Sequence, residues 1–253
     1  MTLYIIGIGL NDKKDITVKG LEAVRSCSRV YLEVYTSRLS CSVDELSDFY
    51  GKMIMPADRT VVEQMAEETI LRDAQNVDTA FLVIGDALSA TTHIDLMHRA
   101  RQLGIKVEVI HNASVMNAVS LTGLQLYKFG KTTSIPFPED NPDVEAPYEV
   151  LAQNLDMDAH TLFLLDLNPT KNRFLEIGDA IRYLLRIEQK RKYGIFTADT
   201  FCIGCANLGG KNEIKAGKAS QLANFVFKEP PYCLIVPARM HFMEEEFLKN
   251  FLI

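Results

Sequence analysis

Phe81-Leu-Val-Ile-Gly-Asp-Ala-Leu-Ser-Ala-Thr-Thr-His93 is the stretch whose reading decides the fold. Its apolar, β-type start breaks at Gly85-Asp86, crosses small residues, and enters a segment with helical spacing. This is the signature of a strand whose carboxyl end presents backbone groups and one carboxylate, Asp86, to a ligand. Two other stretches share it. Leu3-Tyr-Ile-Ile-Gly-Ile-Gly-Leu10 ends in glycines, and Val107-Glu-Val-Ile-His-Asn-Ala-Ser-Val115 ends in small polar residues. Three such ends predict one ligand crevice at the carboxyl edge of an open α/β sheet.

Outward from that stretch, strand and helix signals alternate. Leu3–Gly9, Arg29–Tyr35, Thr79–Ile84 and Lys106–His111 read as strands. Thr17–Ser26, capped by Thr17, and Val43–Tyr50, Val61–Gln75 and Thr92–Gln102 read as helices. Alternation of this kind predicts a mostly parallel sheet covered on both faces. The later half differs. Thr132–Asp143, with three prolines, reads as a loop, followed by helix Pro147–Leu155, strand Thr161–Leu167, a long helix from Leu175 to about Arg191, and strand Gly194–Ala206. Gly209-Gly210 marks a hairpin turn before strand Glu213–Ala216, helix Ser220–Phe227 and strand Tyr232–Val236. The expected fold is therefore two α/β domains, residues 1–112 with an open parallel sheet and residues 113–253 with a mixed sheet.

The composition narrows the functions. The chain has 253 residues, 47% hydrophobic and 24% charged, as in an ordinary soluble globular protein. Its net charge of −6 comes with scattered basic residues, which argues against gripping a nucleic-acid backbone. No apolar run approaches the roughly 20 residues of a spanning helix, and no leader pattern opens the chain, so a cytoplasmic location is expected. The five cysteines form no disulfide framework. Cys202-Ile-Gly-Cys205 could be a redox or zinc pair, but in a β-like run without a second pair it reads as core. Gly7-Ile-Gly lacks the third glycine of a dinucleotide fingerprint and serves equally as a tight strand exit. His93 and His98, five apart, do not have zinc-pair spacing, and no strained nucleophile elbow or Walker loop appears. Met53, Met55 and Met65 read as core and gap-filling residues. No metal site is expected. A chemistry that needs none of these devices is methyl transfer from S-adenosylmethionine, whose sulfonium is already an activated electrophile.

The segment Gly85-Asp-Ala-Leu-Ser-Ala-Thr-Thr-His93 resembles the GDPxxATTH motif of diphthine synthases, which are tetrapyrrole-methylase-like (class III) methyltransferases. The resemblance extends through Asp15–Leu21, Tyr31–Ser37, His111–Ala118, Gly123–Gly130, Leu164–Asp166 and Pro237–Glu244, and the Tyr31–Ser37 and His111–Ala118 blocks look most like eukaryotic members. It implies a homodimer, with S-adenosylmethionine held in a cleft between two α/β domains and S-adenosylhomocysteine released. It also implies methylation of the amino group of a modified histidine on translation elongation factor 2, with or without a further methyl ester. Matched position by position, the cofactor contacts it implies are Leu10, Asp86, Ser89, Ser114, Val115, Leu165, Ala216 and His241. No catalytic residue is implied. Ala87 replaces the motif's proline, Ser89 stands where an apolar residue is common, and tryptophan is absent although many relatives carry one in the region matching Asp140–Pro147. Asp86 can also be read as a turn or helix-capping residue, and His241 as a structural histidine. Rival activities are methylation of a tetrapyrrole or of ribosomal RNA, or non-catalytic binding of S-adenosylmethionine.

Overall fold

The computed structural model describes residues 1–91 and 93–253. The chain divides into two compact units, Met1–Ala118 with Asn168–Asn172, and Val119–Leu167 with Arg173–Ile253.

The first unit holds β1 (Thr2–Gly7), α1 (Val18–Ser26), β2 (Arg29–Glu33), α2 (Val43–Tyr50), β3 (Met55–Ala57), α3 (Arg59–Glu63), α4 (Ile70–Asn76), β4 (Thr79–Val83), α5 (Ile94–Gln102), β5 (Lys106–Ile110) and α6 (Val115–Ala118). Its sheet is parallel in every pairing, in the order β3-β2-β4-β1-β5. Alternating side chains build a core on each face. Leu3, Ile5, Phe81 and Val83 pack against α3, α4 and α5 through Val62, Ile70, Leu71, Leu96 and Met97. Ile6, Val30, Leu32, Ala80 and Leu82 pack against α1 and α2 through Val24, Leu46 and Tyr50. Strands buried on both faces explain the near-continuous apolar runs of the sequence. As expected, Thr17 caps α1, its hydroxyl accepting from Gly20 N at 3.0 Å.

Several boundaries differ from expectation. The segment 61–75 is two helices, because Arg99 Nη1 takes the Val62 and Glu63 carbonyls and thereby closes the first. The strand from Arg29 stops at Glu33. β3 was not expected; Pro56 hides it, and as an edge strand β3 tolerates the missing donor. Met53 and Met65 are exposed, not core, and only Met55 packs on the sheet. Met53 lies just beyond the left-handed Gly51 that ends α2, which turns it outward. The expected helix start at Thr92 lies outside the described residues; α5 begins at Ile94.

The second unit holds β6 (Thr133–Ile135), α7 (Ala146–Asp156), β7 (Thr161–Leu165), the two-residue strands β8 (Leu167–Asn168) and β9 (Arg173–Phe174) at its border, α8 (Ile177–Arg191), β10 (Phe201–Ala206), β11 (Glu213–Lys218), α9 (Ala219–Leu222), β12 (Tyr232–Val236) and α10 (Phe242–Leu248). Its main sheet runs β11-β10-β12-β7-β6, antiparallel except for β6 against β7, and so is mixed as the hairpin signal predicts. One face packs on α7, α8 and α9 through Phe163, Ile181, Leu184, Leu222 and Leu234. Cys202 belongs to that core, whereas Cys205 is three residues on along β10 and faces the opposite side, in register with Cys233 of β12. The two cannot chelate one ion.

Here too some expectations are corrected. β6 lies inside the expected loop 132–143. The stretch 194–200 is not strand, because the Glu188 carboxylate takes the Gly194, Ile195 and Phe196 N–H groups at 2.8 Å each, and Thr197 and Thr200 then close a turn on each other. The helix expected over Ser220–Phe227 closes after Leu222. α10 was missed; its signal is His241-x-x-Glu244, a capping box with an unusual cap.

Candidate functional site

The three strand ends of the first unit meet, because β1 lies between β4 and β5. The connections after β1 and β4 run in opposite directions across the sheet, to β2 and β5 respectively, the arrangement that opens a crevice at strand carboxyl ends. Gly9 and Gly85 have φ of +84° and +87° and exchange two backbone hydrogen bonds, of 3.1 and 2.7 Å. A side chain at Gly9 would place its Cβ 2.3 Å from that of Asp15, so the turn needs glycine twice over.

Asp86 sits at the centre of this edge, buried to 5% exposure. Its Oδ1 accepts from Leu88 N, Ser89 N and Ser89 Oγ at 3.0, 3.0 and 2.9 Å. Its Oδ2 accepts from Asn112 N and from His111 Nδ1, both at 2.9 Å. A carboxylate offers about four lone-pair sites, so this one is saturated by its own chain. Burial alone pushes the carboxyl upward, but the Asn112 and Leu88 N–H groups, the His111 ring and Ser89 hold it well below the usual carboxylate range. Asp86 is thus ionised, and it ties the loop after β4 to the loop after β5. Asn112 completes the clamp by donating from Nδ2 to the Gly7 and Asp15 carbonyls, both at 3.0 Å. Sequence reasoning did not nominate Asn112 or His111, although both lie in a quoted strand end; the signal was an amide and an imidazole at the exit of a buried strand.

Around this clamp lie Leu10 and Val115, both half-buried, the half-buried Ser89, and the buried Ser114, whose hydroxyl accepts from Met116 N at 3.2 Å. The structure therefore brings together five of the expected residues, Leu10, Asp86, Ser89, Ser114 and Val115. Behind the Asp86 loop, Glu33 and His93 are both buried, with Oε2 and Nε2 3.5 Å apart and unpartnered. Burial pushes the His93 imidazole down to about 4, and it pushes the Glu33 carboxyl up against the Thr36 N–H that donates to its Oε1 at 2.6 Å.

In the second unit the expected residues are not neighbours. Leu165 ends β7, whereas Ala216 lies three strands away in β11, its carbonyl accepting from Ile253 N at 3.1 Å. His241 is exposed and caps α10, its Nδ1 accepting from Met243 N at 3.3 Å. It is held by Glu244, which is 1% exposed and accepts from Gln125 N, Lys128 Nζ, His160 Nε2 and His241 N. Burial pushes the Glu244 carboxyl up, but those donors, Lys128 foremost, bring it down to about 2. His160 Nδ1 accepts from Ala238 N, which fixes the proton on Nε2 and makes that ring a neutral donor to Glu244.

Comparison with known proteins assigns the class. Residues 2–222 match the Tetrapyrrole (Corrin/Porphyrin) Methylases. The diphthine methyl ester synthase of Homo sapiens is 44% identical over 272 residues, spanning 99% of this chain and 95% of that protein. That of Saccharomyces cerevisiae is 44% identical over 267 residues, spanning 98% and 89%. A crystal structure of diphthine synthase superposes with a TM-score of 0.91 at 35% identity, spanning 100% of this chain and 96% of that one. The chain belongs to the tetrapyrrole methylase family and, within it, to the diphthine synthases, which are methyltransferases.

Proposed function

We propose that this chain transfers methyl groups from S-adenosylmethionine to the amino group of the modified histidine of translation elongation factor 2, a step of diphthamide biosynthesis, and releases S-adenosylhomocysteine. The observation that carries the reading is the Asp86 clamp at the joined ends of β1, β4 and β5, in a chain of this family. The bound cofactor supplies an activated methyl group. The chain's own work is alignment, and a crevice fixed by saturated internal hydrogen bonds needs little reorganisation to provide it. Leu10, Leu88 and Val115 offer half-buried apolar surface at the loops after β1, β4 and β5, a fit for a ligand with an apolar body. Leu165, Ala216 and His241 are the contacts proposed from the second unit.

Cytoplasmic action agrees with five unpaired cysteines, and among the described residues no helix is long and apolar enough to cross a membrane. A homodimer is proposed because the second unit exposes Leu126, Tyr127, Phe242, Phe247 and Leu252, apolar surface that a second copy would cover. Titration calorimetry with S-adenosylhomocysteine tests the reading. Saturable 1:1 binding per chain is expected, and no heat at millimolar ligand would overturn it.

A further inference from the structure

We infer that His111 is a catalytic residue, the acceptor of the proton that the substrate amine must lose at each N-methylation. The inference rests on the methyl-transfer reading above and on three features of the geometry. First, the His111 side chain is 69% exposed while its partner Asp86 is 6% exposed, so the ring is open to solvent just past the carboxyl end of β5 and its anchor is buried. Second, Asp86 Oδ2, which already accepts from Asn112 N, lies 2.9 Å from His111 Nδ1. An ionised carboxylate only accepts, so Nδ1 carries the ring's proton. That leaves Nε2, in the ring's neutral form, as the bare lone pair. Third, this is the base-and-orienter arrangement of hydrolytic triads, here without a nucleophile of the protein's own. A methyltransferase needs none, because the substrate nitrogen is the nucleophile.

The step balances. His111 Nε2 takes one proton from the substrate ammonium, giving an imidazolium beside the Asp86 carboxylate. The freed nitrogen lone pair forms the N–CH3 bond as the S–CH3 bond breaks, and that electron pair stays on sulfur. The exposed imidazolium then returns its proton to solvent. Each of three N-methylations sheds one proton in this way. Methylation of a carboxylate sheds none, so an ester-forming step has no use for a base, and His111 should discriminate between the two.

His111→Asn keeps an amide donor for Asp86 and removes the Nε2 acceptor. With elongation factor 2 carrying the unmethylated modified histidine, single-turnover N-methylation by this variant should fall about 100-fold, the scale of general-base catalysis. Calorimetric affinity for S-adenosylhomocysteine should stay within about twofold, added imidazole should restore part of the rate, and esterification of an already trimethylated factor should change by less than about threefold. Unchanged N-methylation, or an equal loss in both reactions, overturns the proposal. Nitrogen-15 spectra of histidine-labelled wild-type protein without ligand give a check that needs no variant. A neutral Nδ1–H tautomer is expected for His111, and an Nε2–H tautomer overturns the proposal. If the wild-type chain binds no cofactor, the methyl-transfer reading itself fails, whatever the tautomer.

Discussion

Replacing Asp86 by alanine removes an acceptor that five donors share. Three of them, Leu88 N, Ser89 N and Asn112 N, belong to the backbone and stay in place without it. A hydrogen bond to a charged group contributes about 1.5–3 kcal/mol, and a stranded donor that water partly reaches loses less. Three such losses put the expected destabilisation at about 3–5 kcal/mol, read from urea unfolding. The same change frees the loops after β4 and β5 from each other, so affinity for S-adenosylmethionine should fall at least about tenfold, or 1.4 kcal/mol. Asp86→Asn separates the two effects. It keeps one oxygen for Leu88 and Ser89 but turns an NH2 toward Asn112 N and His111, so the clamp opens on one side only and intermediate values are expected. Stability within about 0.5 kcal/mol of wild type, together with unchanged affinity in Asp86→Ala, would refute the clamp.

Gly9→Ala should cost at least about 2 kcal/mol and weaken cofactor binding, since it forces a Cβ into the left-handed region and against Asp15; thermal unfolding and calorimetry read both. Glu244 gives an acid limb: its folded value of about 2 lies below the ordinary 4.5, so its stabilisation is complete above about pH 4.5 and is lost as pH falls toward 2. Urea midpoints at pH 5 and 3 should differ by more in wild type than in Glu244→Gln. Activity should survive EDTA, because among the described residues no three His, Cys, Asp or Glu side chains converge; loss restored by zinc or magnesium would contradict this.

Much of the first unit was legible because fully buried parallel strands must be written as apolar runs, and their glycine and small-residue exits stand out against them. Short elements were not. β3 is three residues with a proline, and β6 lies among prolines, so neither leaves a periodic trace. The segment 61–75 carries one helical pattern, and only a distant side chain, Arg99, cuts it in two. At the site, the residue types at the strand exits marked the place, but not the wiring. Asp86 was legible as a carboxylate at a strand end. That it is saturated by donors up to 26 residues away, and that His111 thereby gains a fixed tautomer, depends on β5 lying two strands from β4, with only β1 between them. His241 shows the converse, since its place as a helix cap comes from Glu244 three residues on, a local signal available in the sequence.

The central claim, stepwise methyl transfer to a protein amine, is tested most directly by intact-mass spectrometry of elongation factor 2 bearing the unmethylated modified histidine. The purified chain is supplied with S-adenosylmethionine below one equivalent and then in excess. Each transfer consumes one cofactor, so limiting cofactor should give mono- and dimethyl species, and excess should carry them to the trimethyl form or beyond it to the ester. A factor whose mass never changes, while the chain demonstrably binds the cofactor, would contradict the account.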